Sequence, residues 1–270
     1  MVIHGCEARD LGFGGGIRRH QPEQVFDSRT PTAPRRCRHA GIGCRITLHF
    51  EIYIALCAQG KLPVDLKSAE QLHQTLSSLV DYPLYSDTPR VTLSATLAVS
   101  ALQFAAAVRI LCGEGLVLGA SASLRSQFEA VVRSVWALHA ATDSQVEKLS
   151  ARLSQESQSN SKSMPMVSEM LGKLEEVPQL KNLLVSLHEF KVSSWAPLNS
   201  FVHSGIHTVH WTNNAPPPQL MDIVFRSSNG LSVIAFQGLG ILTGHPELQS
   251  QIISSASAFT SVLPARRVST

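Results

Sequence analysis

The sequence predicts an all-α protein, a bundle of six to eight helices. After residue 64, apolar residues recur at the three- and four-residue spacing of an amphipathic helix, whereas the strict alternation of a half-buried strand is almost absent. A hydrophobic content of 44% with only 16% charged residues supplies enough apolar side chains for a buried core. No segment of about 20 to 50 residues repeats along the chain, which argues against a solenoid.

The chain is predicted to divide into three parts. Residues 1–60 show no lasting period and are expected to form a poorly ordered leader. Residues 65–262 form a single helical-bundle domain, and residues 263–270 form a tail. At 270 residues the chain is long enough for one or two domains with a sizeable core.

The leader also differs from the rest of the chain in charge. Residues 1–45 hold eight arginines against four acidic residues, whereas the remainder is nearly neutral. A nearly neutral bundle lacks the general electrostatic footprint of a nucleic-acid-binding domain. Two alternatives to a plain leader stay open. One is a functional arginine-rich tail, and the other is a mis-called start, with translation beginning near Leu62 or Val64.

Turn signals set the predicted helix ends. Asp65 is a candidate N-cap for the first helix, Pro89 suits the first turn of the second, and Gly113 ends it. The pair Asn229–Gly230 is expected to interrupt the penultimate helix. The predicted helices span approximately 65–81, 89–112, 117–141, 166–176, 178–190, 193–211, 219–242 and 246–262.

The uncharged stretch VTLSATLAVSALQFAAAV, residues 91–108, is long enough to raise the question of a membrane span. It is rich in Ala, Ser and Thr rather than Leu and Ile, and Arg109 and Glu114 follow it, so a buried helix is the better interpretation. The five cysteines match no zinc-binding spacing, and their odd number indicates a reducing compartment. We therefore expect a cytoplasmic protein without a membrane segment.

The best-patterned helix carries a charged pair at the edge of its apolar face. In the segment SLRSQFEAVVRSVWALHAATD, a second stripe beside the apolar one begins with Arg125 and Glu129 and reaches Trp136. Arg125 and Glu129 are four residues apart, so they can pair directly, either as a structural ion pair or as part of a site. The apolar stripe consists of Leu124, Phe128, Val131, Val135 and Leu138.

Two segments together resemble a family of uncharacterised bacterial helical proteins. They are GASASLRSQFEAVVRSVWALHAATDSQVEKL and, further on, LNSFVHSGIH. The resemblance covers about 65–262 and implies an all-helical fold, but it implies no activity. The positions that fit its pattern are Arg125, Glu129, Arg133, Trp136, Asn199, Ser200 and His203.

A helix with Arg and Glu facing a helix with Asn, Ser and His is also distantly similar to the HEPN superfamily of small bundles. Many of its members are metal-independent ribonucleases with an R-x4–6-H motif, a spacing that Arg133 and His139 satisfy. Six residues turn a straight helix by about 600°, which leaves these two side chains about 120° apart. We therefore do not expect Arg133 and His139 to act as a pair, and the candidate catalytic residues are Arg125, Glu129 and His203.

Three histidines, His203, His207 and His210, follow Trp195 at helical spacing and would share one face of a continuous helix. Such a face could bind a metal ion, but the H-E-x-x-H signature is absent and Gly205 weakens the helix. We predict no metal and no other cofactor. His203 is then either a general acid–base group or a structural histidine that bonds within the network of Asn199 and Ser200, one turn earlier.

Two functional hypotheses follow from these patterns. The first is a non-enzymatic interaction module that associates with itself or with a protein partner through an apolar helix face. The alternative is a HEPN-like, metal-independent ribonuclease or toxin component, in which His203 acts on a ribose 2′-hydroxyl and Arg125 stabilises phosphate charge. Both expect Arg125 and Glu129 to pack against the helix that bears Asn199 and His203, because buried charges need polar partners.

Overall fold

The computed structural model describes residues 64–161 and 163–265, and every regular element in these residues is helical. This confirms the predicted all-α class. The predicted leader, 1–60, and the end of the predicted tail, 266–270, lie outside the described residues. Ten α-helices occur in the described ranges: α1 Leu66–Leu79, α2 Pro89–Gly113, α3 Val117–His139, α4 Asp143–Ser150, α5 Gln155–Ser161, α6 Val167–Leu174, α7 Lys181–Val202, α8 Ile206–Asn213, α9 Pro218–Leu242 and α10 Leu248–Ala256.

Local capping accounts for several of these boundaries. The Asp65 carboxylate accepts a hydrogen bond from the Ser68 N–H at 3.0 Å, so the predicted N-cap of α1 is confirmed. A capping box begins α4, a short helix that the sequence reading missed. There the Thr142 hydroxyl accepts from the Gln145 N–H while the Gln145 side chain accepts from the Thr142 N–H.

Helix α9 is continuous, so the predicted interruption at Asn229–Gly230 is wrong. The buried Asn229 side chain donates to the Val262 carbonyl at 3.0 Å, tying α9 to the end of the domain. A Cβ added at Gly230 would lie 3.0 Å from Pro264. Both residues are therefore used for close packing of the C-terminal segment, which offsets the weak helix propensity of this pair.

Helix α3 is the centre of the bundle. It contacts α2, α6, α7 and α9. Leu124 and Phe128 from its predicted apolar stripe are buried, and so is Trp136 from the neighbouring stripe. Since neighbours surround most of its length, several polar side chains of α3 have their partners inside the protein.

Two buried polar links join α3 to its neighbours. Between α2 and α3, the Ser94 and Ser134 hydroxyls each donate to the other residue's backbone carbonyl, at 2.9 and 2.8 Å. Between α3 and α9, the Gln127 amide donates to the Ser228 carbonyl at 2.9 Å and accepts from the Ser228 hydroxyl at 2.7 Å. These links fix how α2 and α9 dock on α3, because an unpaired buried polar group is costly.

Helix α2 is buried on one face only, which corrects the expectation of a buried helix. Its inner face packs in the core with Ala101, Ala105 and Val108, whereas Val99 and Ile110 are exposed. Within the described residues, α2 is the one helix long and apolar enough to cross a bilayer by length and composition. Core helices of soluble proteins meet the same criterion, so the finding is weak evidence for a membrane segment.

Removing the Gln127 link should destabilise the bundle. We expect Gln127→Leu to lower the free energy of unfolding by about 1–3 kcal/mol, because the fully buried Ser228 hydroxyl loses its acceptor. Urea unfolding followed by circular dichroism measures the change. The double variant with Ser228→Ala should recover part of the loss, and a Gln127→Leu protein as stable as wild type would contradict the account.

Candidate functional site

The predicted pair on α3 forms and lies beneath an aromatic ring of α7. Arg125 Nη2 is 2.8 Å from Glu129 Oε1, and the two side chains are 18% and 25% exposed. The Arg125 guanidinium carbon lies 4.7 Å from the centre of the Trp195 ring, within the range of a cation–π interaction. Arg125 is therefore held on two sides by residues of the bundle itself.

Aromatic packing sets this geometry. The Phe128 ring stacks on Phe190 with centroids 4.6 Å apart and meets the edge of Trp195 at 5.9 Å. Phe128 thus contacts residues 190 and 195, whereas Arg125, one turn earlier on α3, contacts Trp195. Moving towards the N-terminus of α3, from Phe128 to Arg125, the contact moves towards the C-terminus of α7, from Phe190 to Trp195. The two helices therefore run antiparallel.

The antiparallel arrangement places Asn199 towards the N-terminal half of α3. Asn199 is one turn beyond Trp195 on α7, and Ser121 is one turn before Arg125 on α3. Asn199 Oδ1, Ser121 Oγ and Arg125 Nε are buried and have no hydrogen-bond partner among the described residues. The α3–α7 contact thus joins a charged pair to an aromatic ring, and three unpaired buried polar atoms lie on the same two helices.

His203 lies apart from this cluster. It is the exposed residue that ends α7, eight residues beyond Trp195, or about 12 Å along the helix axis. In residues 64–161 and 163–265, no hydrogen bond, ion pair or ring contact joins the His203 side chain to Arg125 or Glu129. The structure therefore brings Arg125, Glu129 and Trp195 together and leaves His203 outside.

Ser200 organises the turn between α7 and α8. Its hydroxyl accepts from the His207 N–H at 2.9 Å, which caps α8 in place of the absent side chain of Gly205, the N-cap residue. Its carbonyl accepts from the Gly205 N–H at 2.7 Å, the six-to-one bond of a Schellman motif. Ser204 occupies the left-handed position of that motif, with φ of 52°. The structure thus gives Ser200 a capping contact, rather than a contact with His203.

The three histidines do not share one helical face, which corrects the prediction of a continuous helix over 193–211. The chain leaves the helix at His203 and re-enters it at Ile206. His207 packs against Phe201, with ring centroids 5.9 Å apart, and His210 packs edge-on against Trp211 at 4.4 Å. Among the described residues, no group of three or more His, Cys, Asp or Glu side chains could hold a metal ion.

The remaining predicted positions on α3 have distinct surroundings. Trp136 is 1% exposed and belongs to the hydrophobic core, so its surroundings indicate a packing role. Arg133 is half-buried with its Nε enclosed, while His139 is exposed at the end of α3. No hydrogen bond or ring contact in the described part of the chain connects the side chains of Arg133 and His139.

A second polar cluster, which sequence reasoning missed, joins α1, α2 and α9. Arg109 Nε lies 3.6 Å from Glu70 Oε2, and the His73 ring meets Phe236 edge-on at 5.3 Å. Burial, and then the positive charge of Arg109, lower the pKa of His73. Burial also lowers the pKa of Arg109. The i, i+3 spacing of Glu70 and His73 places them on one face of α1, which could have indicated a polar cluster. Their partner Arg109 lies nearly forty residues away on α2, so the sequence did not reveal it.

Comparison with known proteins identifies a family without an activity. The sequence model of a family of unknown function, DUF6988, matches residues 98–265. No curated protein and no solved structure matches the chain. The match spans α3 and α7, which carry the positions that suggested an uncharacterised family, and it confirms that part of the resemblance.

Removing one charge of the α3 pair should cost stability. We expect Glu129→Gln to lower the free energy of unfolding by about 1–3 kcal/mol, less than for a fully buried pair because water reaches both side chains. Chemical denaturation measures the loss. The exposed Lys173–Glu176 pair provides the control, since Glu176→Gln should change stability by less than about 0.5 kcal/mol. Equal effects from both variants would contradict a partly buried role for Glu129.

Two substitutions in the turn between α7 and α8 should have opposite effects on its stability. Ser204→Gly should stabilise the turn by about 0.5–1 kcal/mol, because glycine adopts a positive φ without strain. Gly205→Ala should destabilise it, because the new Cβ would lie 2.7 Å from Ser200 Oγ and disrupt the cap of α8. Amide hydrogen exchange at the α8 backbone measures both changes, and protection of α8 that rises in Gly205→Ala would contradict this geometry.

Proposed function

Since the chain belongs to DUF6988, a family of unknown function, we propose from its geometry that it is a non-enzymatic helical interaction module. The observation that supports this most is the internal engagement of Arg125. Its guanidinium pairs with Glu129 and lies against Trp195, within the packing of α3 on α7. A group held in this way is suited to joining helices.

The ribonuclease alternative requires a different arrangement. General acid–base catalysis needs a base within about 3 Å of the proton that it removes, and phosphate stabilisation needs a cationic group beside it. His203 would be the base and Arg125 the cation, yet His203 lies about 12 Å along α7 from the residue that covers Arg125. This separation favours the interaction module.

The outer face of α2 supports an interaction role more directly. Helix α2 exposes apolar side chains at Val99, Phe104 and Ile110, and its sequence carries no charge from Val91 to Val108. Uncharged surface with exposed apolar side chains is found at protein–protein contacts. In this proposal the protein works in the cytoplasm, without a cofactor, through association with itself or with a protein partner.

A nuclease assay separates the two functions. We expect purified protein to cleave single-stranded RNA at the same background rate whether it is wild type or carries His203→Ala, because among the described residues no hydrogen bond, ion pair or ring contact joins the His203 side chain to Arg125 or Glu129. Expression in a bacterial host should likewise slow growth equally for both. His210→Ala, another exposed histidine, is the matched control. Cleavage that disappears in His203→Ala and persists in His210→Ala, with unchanged melting temperatures, would establish the ribonuclease instead.

A further inference from the structure

His73 lies where α1 docks on the bundle, and one of its ring nitrogens is closed off from water. Helix α1 packs on α9, on α10 and on the 3₁₀ helix Ser257–Val262. The His73 ring meets Phe236 of α9 edge-on, with centroids 5.3 Å apart, and His73 Nδ1 is buried without a hydrogen-bond partner among the described residues. A protonated ring carries an N–H on both nitrogens, so docking would bury a donor that has no acceptor.

Two charged groups in the described part of the chain face His73, and together they oppose its protonation. Glu70 precedes it by one turn of α1, and Arg109 reaches it from α2, with Nε 3.6 Å from Glu70 Oε2. The Arg109 side chain is 12% exposed and that of Glu70 is 51% exposed, so water screens the carboxylate more than the guanidinium. Arg109 therefore disfavours a charge on His73 more than Glu70 favours it.

The other elements packed on α1 bring no charge to this position. Helix α10 and the 3₁₀ helix after it contain no titratable side chain. The charged residues of α9, Asp222 and Arg226, pair with each other more than two turns before the residue that meets His73. His245 and Glu247, which precede α10, pair with each other at 3.1 Å.

The direction of the pH effect follows from these surroundings. Burial, and then the charge of Arg109, lower the pKa of His73 below its ordinary value of 6.5. A released α1 lies in water, where the ordinary pKa applies. The docked state therefore binds a proton less readily than the released state. Docking is strongest above about pH 6.5 and weakens as the pH falls towards the lowered pKa, below which it weakens no further.

Helix α1 is attached to the bundle in a way that allows it to leave alone. Its side-chain hydrogen bonds stay within the helix and its N-cap, whereas buried polar links tie α2 and α9 to α3. It is the first helix of the described residues, residues 80–88 connect it to α2, and the family match begins after it, at residue 98. The side chains that it buries are Ala69, Leu72 and Leu76.

We propose that His73 makes the docking of α1 sensitive to pH: protonation of its ring shifts the protein towards a form in which α1 is released and the rest of the bundle stays folded. This inference goes beyond the interaction function and does not depend on it. Release uncovers the Phe236 ring and the surfaces of α9 and α10 beneath α1, so mild acid exposes apolar surface that is closed at neutral pH.

Amide hydrogen exchange of the full-length protein tests the release. After correction for the intrinsic pH dependence of exchange, protection of the α1 amides should fall relative to that of the α3 amides between about pH 8 and about pH 5. NMR titration gives the pKa of His73 in the folded protein. The loss of α1 protection should approach about tenfold for each unit by which that pKa lies below 6.5.

Three variants assign the effect to His73. His73→Leu removes the titrating ring, so α1 should keep its protection in acid. Arg109→Gln removes the opposing charge, so the pKa of His73 should rise and the acid response should shrink, whereas a merely structural role of Arg109 would lower α1 protection equally at both pH values. The matched control is His139→Gln, since burial also lowers the pKa of His139 but this residue ends α3, and the α1 response should not change.

Three results would overturn the proposal. They are an acid response of α1 that persists in His73→Leu, an equal loss of protection in α1 and α3, and a pKa of His73 at or above 6.5. Circular dichroism verifies that each variant is folded, and the NMR titration with Arg109→Gln decides the question if His73→Leu does not fold. None of these measurements involves RNA or a partner, so they are separable from the outcome of the nuclease assay.

Discussion

The burial of α3 is the constraint on which the rest of the structure depends. A helix with neighbours along most of its circumference cannot leave its polar side chains in water, so several of them find partners on other helices. Ser134 bonds to α2, Gln127 bonds to α9, and Arg125 lies against the Trp195 ring of α7. The polar residues of α3 thus select the orientation of three neighbours, while apolar packing supplies most of the stabilisation.

This constraint also explains an inverted distribution of polarity between adjacent helices. An ordinary surface helix directs charge outwards and apolar residues inwards. Here α3 carries Arg125 and Glu129 in its packed interface, whereas α2 exposes an uncharged face to solvent. The inward charges are explained by contacts within the chain. The outward apolar residues have no such explanation among the described residues, and this contrast directs functional interest to α2 rather than to the charged pair.

The segment with three histidines shows how a short turn changes the chemistry available to a sequence. Helical spacing alone would align His203, His207 and His210 on one face. The Ser200 hydroxyl instead caps a new helix at the His207 N–H, and Ser204 adopts a left-handed conformation that ends α7. Three side chains that would form a metal-binding row on a straight helix are consequently distributed around a bend, where His207 and His210 contact different aromatic rings.

The sequence by itself determined the all-α class, most helix positions, the apolar face of α3 and the Arg125–Glu129 pair. Each of these depends on residues within about four positions of one another, whose spacing is fixed by helix geometry. Only the tertiary structure decided that Asn229 and Gly230 continue a helix, that Trp195 covers Arg125, that His203 lies apart, and that Gln127 meets Ser228, 101 residues away. Such pairings are set by how whole helices dock, because a buried polar group bonds to whichever partner the packing brings near. The spacing of residues along one helix does not identify that partner.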